Sequence, residues 1–332
     1  MIVIADIDLS ESAEPTWQAL RELELTSYNG IIGLGDLSYS IDDENGLRGD
    51  NFFNVFAEFS TKVPVLLIAG NHEKYDHFRL FNYRFRMPQY NPDWDNNVYT
   101  VLENNALFLF VNFDFILKGP IELYKQTLLY TQSLLEQLKD DRRVRWRVFS
   151  SHRTLSCGRI EHYSCRTNLI FFKPFDDLLR KHTFDLYLAA HDHLYERVNF
   201  VDELMNLVPV KSVSGENHHL QTFSWPAQPL SVVYGMSGSL PEQLETNRVE
   251  SPLTAALVSQ VPGYLDLRLD NDTLELRFMS SVGRNLVDGV RITKTTPFDN
   301  RSRYPTKFLS LLSITTLLLL GLLQFLQKVP KH

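Results

Sequence analysis

Asp6, Asp36, Asn71, His152, His191 and His193 carry oxygen or imidazole donors able to hold a hard cation, and Tyr39 stands three residues past the second of them. Carboxylate and amide oxygens combined with neutral imidazoles suit divalent or trivalent transition metals, and no thiolate is among these donors. Seven donors are too many for one cation but fit two that share a bridging carboxylate. Two metals roughly 3.5–4 Å apart form the known clamp for in-line displacement at phosphorus. On an extended segment, side chains two residues apart point the same way, so the His191-Asp192-His193 triplet can send both rings into one cluster. His72 is placed to contact a phosphate or to protonate a leaving oxygen. It could equally orient Asn71 from behind. Arg153, next to His152, reads either as a phosphate contact or as an ordinary exposed loop arginine.

These residues matter together because of what precedes each of them. Residues 2–5, 31–34, 63–70, 146–150 and 184–190 are short apolar runs, and each delivers one of the donors at its carboxyl end. Open α/β sheets bind ligands at those ends. Gly35 lets the chain turn with no Cβ in the way, so Asp36 can approach a ligand closely. Residues 14–27, with Pro15 in the first turn, and residues 51–62 have the apolar spacing of helices. The resulting β-α-β-α-β alternation predicts a parallel sheet buried on both faces. Residues 98–103 and 106–114 read as a hairpin turned by Asn104-Asn105. Helices are expected over 128–142 and 171–182. Further strands are expected at 230–234, 264–269 and 273–279, the last two joined by Asp270-Asn271-Asp272.

The chain has 332 residues, 44% of them hydrophobic, enough for one large α/β domain. A formal charge of −7 leaves no footprint for nucleic acid. Cys157 and Cys165 lie close together in a polar stretch, and a local disulfide is expected, with two free thiols as the alternative. Asn271 and Asn300 head glycosylation sequons. Residues 308–326 are 19 uncharged, mainly apolar residues. At ~1.5 Å per residue they are long enough to cross a bilayer as a helix. The expected organisation is therefore a catalytic domain over 1–295, a polar stalk over 296–307, a membrane helix over 308–326 and a short basic tail over 327–332. Positive charges flank the span on both sides, so they do not orient it. The disulfide and sequons favour a lumenal or extracellular domain, reached through upstream residues that include a signal peptide. A cytosolic domain on a tail anchor is the alternative.

Gly35-Asp36-Leu37-Ser38-Tyr39, Gly70-Asn71-His72-Glu73, Ser151-His152-Arg153 and Ala190-His191-Asp192-His193 with Tyr195-Glu196-Arg197 carry a resemblance over roughly residues 1–280. In this order they resemble the purple acid phosphatases, the tyrosine-containing branch of the calcineurin-like metallophosphoesterases. The Cys157/Cys165 pair is similar to that of the animal-type subgroup. The resemblance implies a four-layer αββα sandwich, two mixed sheets flanked by helices. It implies an iron site of Asp6, Asp36, Tyr39 and His193. A second site, for Zn, Mn or a second Fe, would take Asp36, Asn71, His152 and His191. Asn71, His72 and Arg153 would bind substrate, with His72 as the catalytic proton carrier. The implied activity is acid phosphomonoester hydrolysis by in-line attack of a metal-bound hydroxide on a small phosphorylated substrate. A phosphodiesterase or nucleotide pyrophosphatase of the same superfamily is the runner-up, with a catalytically impaired membrane-anchored binding protein as the rival class. Three departures stand out. Asp8 occupies a glycine position and places an extra carboxylate near the iron site. Phe149 replaces a valine. The family's usual N-terminal β-domain is not read among these residues and is expected, with the signal peptide, upstream of them. Substrate identity, the second metal and oligomeric state are left open by the sequence.

Overall fold

The computed structural model describes residues 1–88, 93–210, 219–241 and 251–294, with the backbone of 212–217. It opens with β1 (Ile2–Ile4), α1 (Glu14–Arg21), β2 (Ile31–Gly33), α2 (Leu47–Ser60) and β3 (Val65–Leu67), the expected β-α-β-α-β unit. Helix α1 carries Pro15 in its first turn and stops short of the expected residue 27. The chain there drops into a 3-10 turn over Leu25–Ser27 that buries Leu25. Helix α2 begins earlier than expected, because Gly46 at φ +89° turns the backbone directly into Leu47.

Next come α3 (Arg79–Arg84), β4 (Val98–Glu103), β5 (Ala106–Val111), α4 (Phe113–Lys118), α5 (Ile121–Leu138) and β6 (Trp146–Ser150). Helix α5 starts well before the expected residue 128. Its buried stripe is Tyr124, Thr127, Thr131 and Leu135. Two threonines made that stripe read as polar. Their hydroxyls donate to the carbonyls of Leu123 and Thr127, each at 2.8 Å, and so can be buried without penalty.

The chain continues through α6 (Tyr163–Phe171), α7 (Lys173–Lys181), β7 (Leu186–Ala189), β8 (Tyr195–Val198), β9 (Ser212–Asn217), β10 (Leu220–Ser224) and β11 (Leu230–Tyr234). It finishes with β12 (Thr254–Val258), β13 (Gly263–Leu269), β14 (Thr273–Ser280) and β15 (Leu286–Thr293).

Among the described residues the strands form two mixed sheets. One runs β3-β2-β1-β13-β14-β15-β10-β9 and the other β12-β8-β11-β7-β6-β5-β4. Strand β1 is central, parallel to β2 and antiparallel to β13, which the apolar run at its start permits. The period of two assigns each face. Phe108, Phe110, Trp146, Val148, Leu186 and Leu188 turn towards the first sheet and join its core. Leu109, Val111, Phe149 and Tyr187 turn the other way, onto Phe113, Tyr124, Phe172 and Phe175 of the helices. On the far side, Trp17 of α1 stacks on Phe59 of α2 at 5.5 Å. The layering is therefore α, β, β, α.

Polar ties hold the two sheets in register. Tyr99 donates to the Leu67 carbonyl at 2.7 Å. Tyr195 and Arg197 of β8 grip Asp288 of β15, at 2.6 Å and 2.7 Å. Lys294, just past β15, is half-buried against the second sheet. Its Nζ pairs with Asp185 at 2.6 Å and lies over the rings of Trp146 and Trp225. No helix among the described residues is long and apolar enough to cross a membrane. The stalk, the 308–326 stretch, the tail and Asn300 all lie outside the described residues.

Candidate metal centre

The parallel strands β1, β2 and β3 of the first sheet and β6 and β7 of the second present their carboxyl ends to one another. From these ends the structure brings Asp6, Asp36, Tyr39, Asn71, His152, His191 and His193 together.

They fall into two adjoining groups. In the first, Tyr39 Oη lies 2.9 Å from Asp6 Oδ1 and 2.9 Å from His193 Nε2. His193 Nε2 is 3.4 Å from the same Asp6 oxygen. In the second, His152 Nε2 lies 3.2 Å from Asn71 Oδ1 and 3.3 Å from Asp36 Oδ2. One donor atom each of Asp36, His152 and His191 lies within 4.8 Å of the others. Asp6 and Asp36 also accept backbone N–H bonds, from His191 at 3.2 Å and from His72 at 2.8 Å, which fixes their carboxylates.

The backbone is bent to achieve this. Asp6, Asp36 and His191 all have φ between +51° and +73°, a region that non-glycine residues rarely adopt and that concentrates at functional sites. The loops after β2 and β3 touch. A Cβ on Gly35 would sit 2.5 Å from the Gly70 nitrogen, and one on Gly70 would sit 2.3 Å from Asp36 Oδ1.

The donor set fits cations. His152 gives its Nδ1 proton to the Leu34 carbonyl at 2.8 Å, and His193 gives its own to the Leu240 carbonyl at 2.9 Å. His152 Nε2 then faces the Asn71 and Asp36 oxygens and His193 Nε2 the Asp6 carboxylate, acceptor against acceptor, an arrangement that calls for a proton or a metal between them. The charges agree. Burial opposes ionisation of Asp36, yet the adjacent His152 holds its carboxyl well below the usual range. Burial likewise disfavours charge on His152, but Asp36 lifts it to about 10. Burial, then the charges of His152 and Arg153, push His191 down to about 2, so its ring is neutral. Burial, then Asp6 and Asp36, drive the Tyr39 phenol well above its ordinary value.

The remaining expected residues are accounted for as follows. His72 keeps its side chain 41% exposed, with Nδ1 3.1 Å from Ser40 Oγ and Nε2 3.9 Å from Asp36 Oδ2. Arg153 is not the exposed loop arginine that was one reading of it. Its Nε donates to Asp114 Oδ1 at 2.7 Å and its Nη1 to His191 Nε2 at 3.0 Å. Cys157 and Cys165 form a disulfide. Asn271 is exposed on the β13–β14 turn. Asp8 accepts from the Ser10 backbone at 2.9 Å and faces Arg48 at 3.7 Å. There it lines an open cavity of about 270 Å³ with Ser38 and Asn51.

The calcineurin-like phosphoesterase family model matches residues 2–195, more than half of the chain. The chain belongs to the calcineurin-like phosphoesterases. The chain is 23% identical over 268 residues to human acid phosphatase type 7, covering 76% of this chain and 58% of that protein. It thus spans under two thirds of the length of that curated relative. In fold it is similar to the purple acid phosphatase PPD1 from yellow lupin seeds, with a TM-score of 0.66 at 16% identity, over 93% of this chain and 56% of that one. It is also similar to GAP50, the anchor in the inner membrane complex of Plasmodium. There the TM-score is 0.64 at 12% identity, over 89% of this chain and 88% of that one.

Two residues of the candidate site, Glu73 and Asp114, were given no role by the sequence reading. Glu73 is fully buried and accepts three backbone N–H bonds, from Asp36 at 2.9 Å, Leu37 at 2.7 Å and Gly70 at 2.7 Å. It ties the two ligand loops to each other. Burial, with the Asp36 charge next, pushes its carboxyl up to about 8. Asp114 is buried beneath Arg153, and its second oxygen has no hydrogen-bond partner. The available signal was its place just past β5, a sixth apolar strand that ends in polar residues.

Proposed function

We propose that this chain is a metal-dependent phosphoester hydrolase of the acid phosphatase type, acting on phosphomonoesters with two cations. The observation that carries the reading is the pair of adjoining donor groups, each with an imidazole Nε2 aimed at carboxylate or amide oxygens. Asp6, Tyr39 and His193 with Asp36 would hold iron, and Asp36, Asn71, His152 and His191 would hold Fe, Zn or Mn. When bound, such a pair supplies Lewis acidity and a nucleophile at ordinary pH. The rest falls to side chains of this chain. Ser40 orients His72 through Nδ1, and the exposed Nε2 carries the proton for the leaving oxygen. Arg153, braced by Asp114, and the Asn71 amide hold phosphoryl oxygens. Purified protein supplied with iron and zinc should hydrolyse p-nitrophenyl phosphate at mildly acidic pH. Turnover no greater than that of a His191→Ala control, under every metal regime, would sink the reading.

A second reading is favoured by the similarity to GAP50 over nearly the whole of both chains, together with the apolar 308–326 stretch. In it the domain is an anchored binding protein that keeps the fold without turnover. Metal content separates the two, since about two metals per chain with turnover marks the enzyme and a metal-free folded protein marks the anchor. Under either reading we place the domain on the lumenal or extracellular side, as the disulfide favours. A glycosidase-sensitive mass at Asn271 tests this.

A further inference from the structure

His191 and His193 serve different halves of the centre, yet only Asp192 lies between them. The backbone here is not held by ladder bonds. The Asp192 N–H reaches the Ala190 carbonyl at 2.9 Å and the Leu194 N–H reaches the Asp192 carbonyl at 2.7 Å, two successive three-residue turns. His191 adds a left-handed φ of 73°. Such a kink persists only where its surroundings over-determine it.

The Asp192 side chain provides that constraint. Buried at 8% exposure, it runs away from the cluster and accepts hydrogen bonds from the Arg159 guanidinium and from Ser164 Oγ, the latter at 3.1 Å. His162 Nδ1 lies 3.8 Å from the same carboxylate. Arg159, His162 and Ser164 all belong to the short loop closed by the Cys157–Cys165 disulfide. Both sulfurs are buried against Val233 of β11, so the loop is seated on the second sheet. Arg159 also reaches Glu196 of β8 at 3.8 Å, and Thr254 of β12 donates to Glu196 at 2.6 Å. The tie therefore runs from the sheet, through the closed loop, to the residue between the two imidazoles.

We propose that Asp192 is a positioning residue for His191 and His193, and that the disulfide-closed loop 157–165 is its support. The proposal rests on the metal-centre reading. Groups that orient metal ligands typically contribute 10- to 100-fold to metal affinity.

The test is calorimetric titration of the metal-free protein with Zn²⁺, paired with thermal unfolding in EDTA and in zinc. Asp192→Asn and the double variant C157A/C165A should each bind zinc roughly 10- to 100-fold more weakly. They should also show a smaller zinc-induced rise in unfolding temperature. A purely structural role would lower both melting curves together and leave their separation unchanged. Should Asp192→Asn fail to fold, Ser164→Ala decides, because it removes the partly buried bond to Asp192, with the Oγ contact to His162 Nδ1, and should weaken zinc binding several-fold. Wild-type zinc affinity in these folded variants overturns the proposal while leaving the metal centre standing. Absence of zinc uptake by the wild-type protein overturns both, and that outcome is distinct.

Discussion

Tyr39 Oη lies 2.9 Å from His193 Nε2, although 154 residues separate them and each follows a strand of a different sheet. The half-site they form with Asp6 exists only when the sheets are packed. Its geometry therefore depends on the whole sandwich and not on any one loop.

The first prediction concerns that phenol. Because burial and two carboxylates hold it protonated, metal-free protein should show no phenolate absorption from Tyr39 at moderately alkaline pH. Addition of ferric iron should displace the proton and produce a visible charge-transfer band. Tyr39→Phe should keep the fold and lose the band. A band of unchanged intensity in the variant would refute the assignment.

Asp114 and Arg153 give a second. Asp114→Asn leaves the guanidinium free to swing, and KM for p-nitrophenyl phosphate should rise roughly tenfold with a smaller change in kcat. Arg153→Ala strands a buried carboxylate and should destabilise the fold by about 3 kcal/mol in urea unfolding. An unchanged KM in Asp114→Asn would remove the substrate role of this pair.

For Glu73 the expectation is structural. Glu73→Ala leaves three buried N–H groups of the ligand loops without an acceptor, at a combined cost of about 3 kcal/mol or more. Metal content should fall in the fraction that folds. Wild-type urea stability would show that water replaces the carboxylate at no cost.

His182 supplies a pH dependence far from the centre. Burial depresses its imidazole from 6.5 to about 4. The unfolded chain therefore takes up a proton below pH 6.5 that the folded chain refuses until about pH 4. Stability is intact above 6.5, declines as pH falls through this window and has lost the full contribution below 4. With allowance for partial exposure the loss is about 2 kcal/mol. His182→Asn should flatten urea midpoints between pH 6.5 and 4 relative to wild type, and parallel curves would contradict the assignment.

The centre could be read in the sequence because each donor sits where an apolar run stops, and such runs are visible without coordinates. Asp36 and His152 announce themselves in this way. Glu73 and Asp114 do not, since their partners are backbone amides and an arginine that only folding brings near. The His-x-His pair comes to the cluster by a different route from the one expected, through a kinked turn at His191 and not along an extended strand. Strand β9 carries no apolar pattern of its own, because Ser212–Asn217 is largely polar. That strand is placed by pairing with β10, and β10 in turn by pairing with β15. Asp8, the extra carboxylate expected near the iron site, has its contacts with Ser10 and Arg48.

Lys294 ends the described chain as a latch, its ammonium on Asp185 and over two indole rings, while the Arg145 guanidinium holds its carbonyl at 2.7 Å. Tension on the polypeptide beyond this residue meets that latch before it meets the sheet. Once the latch yields, the force runs along β15, which is hydrogen-bonded on both edges, to β14 and to β10. Loading of that kind shears many bonds at once and does not peel them one by one. A domain held through its carboxyl end would therefore transmit pull to the sandwich as a rigid body, leaving the strand ends that carry Asp6 and Asp36 unstrained.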